Sequence, residues 1–266
     1  MRLHYRTLGK GAPLIVLHGL LGSLDNWQPL TRRFAAHFKV WAVDLRNHGQ
    51  SPHSDDVSYD AMAGDIDEFM RTHGLTRAHL LGHSMGGKVA MQFALRHADR
   101  VEKLVLVDIS PRAYSPRHAR TLAALLALDL HAFQRREQLD AKLAESVDNA
   151  EVRQFLLKNV GHDPHGGFRW KANVRGIWES YERLTKAVTS EKPCDRPALF
   201  VRGERSDYVP ATDNELIRRL FPRAEFCVIA DAGHWVHADQ PEAVFTAVLK
   251  FLRDCATASH AESSLS

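Results

Sequence analysis

Short continuous apolar runs alternate along the chain with stretches whose apolar residues recur every three or four positions. Runs at 13–17, 40–45, 78–81, 101–107, 197–203 and 225–229 have the length and continuity of buried strands. Residues 2–8 alternate loosely and predict a first strand, with Gly9-Lys10-Gly11 as the turn after it. Helical spacing covers 26–38, 59–73 and 241–254, and Gly74 suits a helix C-terminus. From about residue 113 to 190 the strand pattern stops, and windows 121–130, 133–145, 151–160 and 170–184 each predict a helix between polar, Pro or Gly breaks. An α/β core of residues 1–112 and 191–255 interrupted by a helical cap at 113–190 follows. The Ser/Ala-rich end, 256–266, is expected to be disordered.

Composition narrows the class of protein without altering this picture. At 266 residues the chain is long enough for one sizeable core with an inserted subdomain, and 44% hydrophobic and 25% charged residues are ordinary for a globular protein. Its 35 basic and 32 acidic residues leave a net charge of +3, which predicts no basic face for nucleic acid. Sixteen histidines are many, but none has metal-site spacing with Cys or Asp, so no metal or organic cofactor is expected. Cys194, Cys227 and Cys255 are an odd number and lie away from any motif, which fits a reducing cytoplasm better than a disulfide framework. His4, Arg6 and Lys10 interrupt the N-terminal segment, and no run of about eighteen apolar residues occurs, so neither export nor a membrane span is expected.

The chemistry gathers at Gly82-His83-Ser84-Met85-Gly86, between an apolar run and a helix-compatible segment rich in Ala, Met and Leu. A Gly-x-Ser-x-Gly turn from strand to helix lifts a serine hydroxyl above a sheet, and the neighbours must be glycine because larger residues collide there. Upstream, the strand at 13–17 runs into His18-Gly19-Leu20-Leu21-Gly22, a loop able to aim a backbone N–H at a developing oxyanion. Leu20 is the candidate donor there, and Met85, the residue after the serine, is its companion at a helix N-terminus. Asp44, Arg46 and His48 follow a strand in a polar loop, where their default role is to fix turns. Serine needs a base, and the base needs an acceptor that fixes its tautomer. His234, in the loop after the last strand, is the natural base; His237, three residues on, is the weaker candidate.

The chain to about residue 255 resembles the α/β-hydrolase family, which implies a mostly parallel sheet with helices on both faces and the order serine, acid, histidine. In that family the acid commonly follows the penultimate strand as Gly-x-x-Asp. Here the register reads Gly203-Glu204-Arg205-Ser206, with Asp207 one residue late, whereas Asp108 follows the preceding strand. The segments Asn47-His48-Gly49-Gln50-Ser51-Pro52, Gly82 to Lys88, Val107-Asp108-Ile109-Ser110-Pro111 and Trp170-Lys171-Ala172-Asn173 resemble a subgroup holding the YbfF-type bacterial esterases and the animal abhydrolase-domain protein eleven. That resemblance implies Asp108 as the acid, with Ser206 supporting near His234; Asp207 stays open as the alternative.

The expectation is a serine carboxylesterase for short- to medium-chain acyl esters or thioesters, working through a Ser-His-Asp triad and an acyl-enzyme, monomeric or homodimeric. Leu125, Leu126, Phe133, Phe155, Phe168, Trp170 and Trp178 are candidates for an acyl pocket, although their spacing is equally that of packing. A carbon–carbon bond hydrolase shares fold, cap and serine, and a non-catalytic binding protein is compatible with the fold alone.

Overall fold

A computed structural model describes residues 1–164 and 166–254 of the chain; Cys255 and the predicted disordered end lie outside the described residues. Strands β1 (Tyr5–Leu8), β2 (Pro13–Leu17), β3 (Lys39–Val43), β4 (Ala78–His83) and β5 (Val101–Val107) are followed, beyond an insertion holding β6 (Val160–His162) and β7 (Phe168–Trp170), by β8 (Ala198–Gly203) and β9 (Ala224–Ile229). Seven of them form one sheet in the order β1-β3-β2-β4-β5-β8-β9. Only the β1–β3 pairing in that sheet is antiparallel.

Helices α1 (Gln28–Phe34), α2 (Tyr59–Thr72) and α3 (Met85–Arg96) connect the early strands. The insertion carries α4 (Ala119–Leu126), α5 (Arg136–Ala144), α6 (Ala150–Leu157), α7 (Val174–Glu179) and α8 (Tyr181–Thr185). The chain then returns to the core through α9 (Asn214–Leu220), α10 (Val236–Asp239) and α11 (Pro241–Arg253).

Alternate side chains of a strand face opposite ways, and both faces of this sheet are covered. Leu14, Val16, Leu81, Val105 and Val201 pack with Trp27, Phe34, Val244 and Val248 on the side of α1 and α11. Ile15, Leu17, Leu80, Leu104 and Leu106 pack with Met62, Ile66, Val89 and Phe93 on the side of α2 and α3. The sheet is therefore the middle layer of a three-layer core.

The insertion departs from its predicted all-helical form. Its residues 160–162 and 168–170 pair as an antiparallel hairpin. Gly166 and Gly167, at φ 106° and 73°, make a turn that side-chain-bearing residues rarely adopt. The predicted helix over 170–184 breaks because Asn173 caps α7 by accepting from the Gly176 N–H, leaving 170 in the hairpin, and the chain bends again at Ser180. Near the N-terminus, the predicted helix at 26–38 begins as a 3-10 turn over Leu24–Trp27 and ends at Phe34.

Tyr59 Oη donates to Leu184 O at 2.7 Å and the Asn173 N–H to Asn47 O at 2.9 Å, seating the insertion on the start of α2 and on the loop after β3. Among the described residues, no helix is long and apolar enough to cross a membrane.

Candidate active site

β4 turns into α3 at a single residue. Ser84 has φ 50° and ψ −118°, a strained conformation for an L residue, and the turn around it is packed too closely for side chains at its flanking glycines. A Cβ on Gly82 would sit 2.3 Å from Gly86 O, and one on Gly86 would sit 2.5 Å from His18 O. The turn is closed by Ser84 N–H donating to Val107 O at 3.0 Å and by Gly87 N–H donating to Ser84 O at 2.9 Å.

The Ser84 hydroxyl lies 3.1 Å from His234 Nε2. His234 Nδ1 lies 2.7 Å from Asp108 Oδ2. Asp108 is fully buried directly after β5, with φ 51°, and its other partners are the Gly203 N–H at 3.1 Å on Oδ1 and the Ser206 hydroxyl on Oδ2. Burial pushes the Asp108 carboxyl up, and the Ser206 and Gly203 donors oppose that shift. Burial pushes His234 below the usual imidazole range, and the nearby His118 and Arg117 add to it, so the ring is a neutral acceptor at neutral pH. Asp207 stands elsewhere: its carboxylate is 73% exposed and is gripped by Arg117 at 2.5 and 2.8 Å. His237 stacks on Trp27 with ring centroids 4.3 Å apart, and its Nδ1 has no hydrogen-bond partner among the described residues.

The loop after β2 is shaped by two buried neutral histidines. His18 Nε2 accepts from the Leu45 N–H at 3.0 Å, so its Nδ1 carries the proton given to Gly19 O at 2.8 Å. His48 Nε2 accepts from the Leu21 N–H at 3.1 Å, and its Nδ1 donates to Arg46 O at 2.9 Å. Burial lowers the two to about 4 and about 3 respectively, so both hold these tautomers at neutral pH. Asp44 accepts from the Leu24 and Gln50 N–H groups, while Arg46 forks onto Asp65. Asp44 and His48 thus hold loop backbone, as expected of turn-fixing groups, whereas Arg46, expected to do the same, ties its loop to α2. Among the described residues, the Leu20 N–H has no protein acceptor, and the Met85 N–H, first in α3, has none within its helix.

A family model described as the alpha/beta hydrolase fold matches residues 12–241. The chain belongs to the α/β-hydrolase family. Relatives of this α/β hydrolase include the "sn-1-specific diacylglycerol lipase ABHD11" of Mus musculus, 39% identical over 94% of this chain and 85% of that protein. "Esterase YbfF" of Escherichia coli K12 is 38% identical over 91% of this chain and 94% of that protein. These are the two kinds of protein that the Asn47–Pro52 and Val107–Pro111 segments resembled. Among solved structures, a "Marine microorganism esterase" superposes with a TM-score of 0.92 at 40% identity, covering 94% of this chain and 98% of that one.

Two residues beside the triad-like cluster of this hydrolase were not singled out by sequence reasoning. His83 Nε2 donates to the His234 carbonyl at 2.9 Å, and a Cβ on Gly19 would meet His83 Nδ1 at 2.8 Å, so one ring spaces the loop of Leu20 from that of His234. Its signal was a histidine at the buried end of an apolar strand. Tyr208 stacks on His234 with ring centroids 3.7 Å apart, and its hydroxyl meets His118 Nε2 of the insertion at 3.1 Å. Nothing in its sequence neighbourhood marked it. Of the seven apolar insertion residues proposed for an acyl pocket, Phe155 borders a cavity at Ser84, while Phe168 is core and Trp178 is 40% exposed. Among the described residues, no cluster of three His, Cys, Asp or Glu side chains is arranged to hold a metal ion.

Proposed function

We propose that the protein is a serine carboxylesterase acting on short- to medium-chain acyl esters, and on thioesters of the same acids. Ser84 is the nucleophile, His234 the general base and acid, and Asp108 the group that orients the ring; Leu20 and Met85 supply the oxyanion N–H groups. The helical insertion 113–190 is the cap on a core of 1–112 and 191–255. The observation that carries this reading is the unbroken line of contacts from Asp108 Oδ2 through His234 to Ser84 Oγ, at 2.7 and 3.1 Å.

As Ser84 Oγ attacks the ester carbonyl, its proton passes to His234 Nε2 and the carbonyl oxygen takes the negative charge. The carbon–oxygen bond to the alcohol breaks, and the departing oxygen receives the proton from Nε2. Water then attacks the acyl-enzyme, gives a proton to the same nitrogen and releases the acid, with Ser84 Oγ regaining its hydrogen. The imidazolium formed in each half is stabilised by Asp108, which Ser206 and Gly203 hold in register.

The relatives named esterase and lipase support ester bonds as the target. The test is stoichiometric labelling of Ser84 by a fluorophosphonate probe, together with turnover of p-nitrophenyl butyrate. The expected result is one label per chain, lost along with turnover in Ser84→Ala. Labelling without turnover of any ester would instead favour a carbon–carbon bond hydrolase, and neither labelling nor turnover would leave a binding protein.

A further inference from the structure

Two cavities meet at Ser84. The smaller borders Met85 and is walled by Tyr59, Ile109, Tyr114, Tyr181 and Leu184. The larger borders His234 and is walled by Trp27, Val147, Val152, Phe155 and Trp235. Leu20, Ser84 and His118 line both.

We infer that the smaller cavity takes the acyl group and the larger one the alcohol or thiol, so that the preferred substrates join a compact acid to a bulky apolar alcohol. This assignment rests on Ser84 being the nucleophile of the preceding section. The leaving oxygen must accept a proton from His234 Nε2, so it lies on the side that His234 borders, and of these two cavities His234 lines the larger and not the smaller. By microscopic reversibility the deacylating water enters from that same side. With the carbonyl oxygen at Leu20 and Met85 and the leaving group beside His234, the remaining substituent of the carbonyl carbon points into the cavity that Met85 borders.

The walls of the smaller cavity are fixed. Tyr59 Oη donates to Leu184 O at 2.7 Å. Tyr181 Oη accepts from the His118 N–H at 2.8 Å. Tyr114 Oη accepts from the Ser110 N–H at 2.8 Å and donates to Tyr208 O at 2.7 Å. Each phenol is committed to backbone and cannot swing aside for a longer chain, so the three rings set a length limit. The larger cavity has an apolar wall and a polar mouth at Asp148 and Asn149, suited to the more variable half of a substrate.

The test crosses two ester series. With p-nitrophenol constant, acetate, butyrate and octanoate vary the acyl part; with butyrate constant, phenyl and 2-naphthyl esters, whose leaving groups are nearly equal in acidity, vary the bulk of the alcohol. The wild-type kcat/KM should fall roughly tenfold or more from butyrate to octanoate and should rise from the phenyl to the naphthyl ester. Leu184→Ala should recover octanoate roughly tenfold relative to butyrate and leave the alcohol ranking in place. Val152→Trp should penalise the naphthyl ester roughly tenfold relative to the phenyl ester and leave the acyl ranking in place. The opposite pattern, or wild-type enzyme that turns over octanoate as well as butyrate, overturns the assignment. The wild-type series decides this even where a variant fails to fold. Absence of all ester turnover and of fluorophosphonate labelling would sink the esterase reading instead, which is a separate outcome.

Discussion

Asp108 and Asp207 are two carboxylates with opposite surroundings. Asp108 has three donors and no solvent, whereas Asp207 faces water and is held low by Arg117. An oriented imidazole depends on its acceptor, so Asp108→Asn should lower kcat on p-nitrophenyl butyrate by roughly four orders of magnitude through the wrong tautomer. Asp207→Asn should keep most of the activity, and the reverse ranking would move the acid to Asp207. Ser206 adds a hydroxyl to the same Asp108 oxygen that receives His234. Ser206→Ala should therefore cost about 1.5–3 kcal/mol of the stabilisation around that carboxylate. Steady-state kinetics should record it as a fall in kcat with KM nearly constant; a change confined to KM would show that Ser206 acts on binding instead. The spacing of residues alone left the two acids unresolved, because what separates them is a tertiary contact: Arg117 lies ninety positions before Asp207 and withdraws it from His234. Ser84 was legible from local pattern because the sterics that demand Gly82 and Gly86 are local too.

α3 links the elbow to the insertion. Lys88, one turn after Ser84 and 1% exposed, donates from Nζ to Arg112 O at 2.8 Å and to Lys186 O at 2.5 Å. Those carbonyls stand where the chain leaves the core and where it returns, and there the Tyr114 N–H meets Thr185 O while the Val188 N–H meets Pro111 O, each at 2.8 Å. One buried amine thus clips both ends of the insertion. Burial, with Arg112 adding to it, lowers Lys88 to about 7, and a neutral amine still has two N–H donors for its two carbonyls. Lys88→Met should cost about 1–3 kcal/mol for each carbonyl left unpaired, measured by urea unfolding. The unfolded chain binds the lysine proton up to its ordinary value of 10.5 and the folded chain only to about 7, so wild-type stability gains as pH rises through that window. The deficit of the variant should therefore widen from pH 7 to pH 9, and a constant deficit would show that the clip is charged. The strands of the core were readable because a parallel sheet covered on both faces demands continuous apolar runs, as in Leu14-Ile15-Val16-Leu17. The hairpin of β6 and β7 was not, since three-residue strands carry no period and depend on the Gly166-Gly167 turn and on pairing partners such as Val160 and Trp170.

At the scale of the whole molecule, buried neutral histidines join these elements into a single pH-sensitive fold. His18 and His48 shape the loop of Leu20, His83 packs against both His234 and His237, and His79 sits on β4 against Phe38. Burial lowers all five, His18 to about 4, His48 to about 3 and His79 to about 4, with His83 and His237 well below the usual range. Below their ordinary value of 6.5, unfolding takes up a proton at each, so stability is full above that pH and falls as pH drops toward the folded-state values. Each fully neutral ring contributes about 1.4 kcal/mol per pH unit in that window, so several together rival a typical total stability of about 5–15 kcal/mol. Asp44, raised by burial, works in the opposite direction, and the burial shifts of Asp108 and His234 offset each other. Calorimetry from pH 7.5 to 4.5 should show Tm nearly level down to about 6.5 and then a steep decline. His79 allows the cause to be isolated, because it is remote from Ser84 and its Nδ1 has no hydrogen-bond partner, so a leucine fits its place on an apolar strand. His79→Leu should leave esterase activity at pH 7.5 intact and reduce the acid slope of stability by about 1.4 kcal/mol per pH unit, one histidine's share. A slope unchanged in that variant, or a flat Tm across the whole range, would mean that the buried rings titrate in the folded state and that acid unfolding has another source.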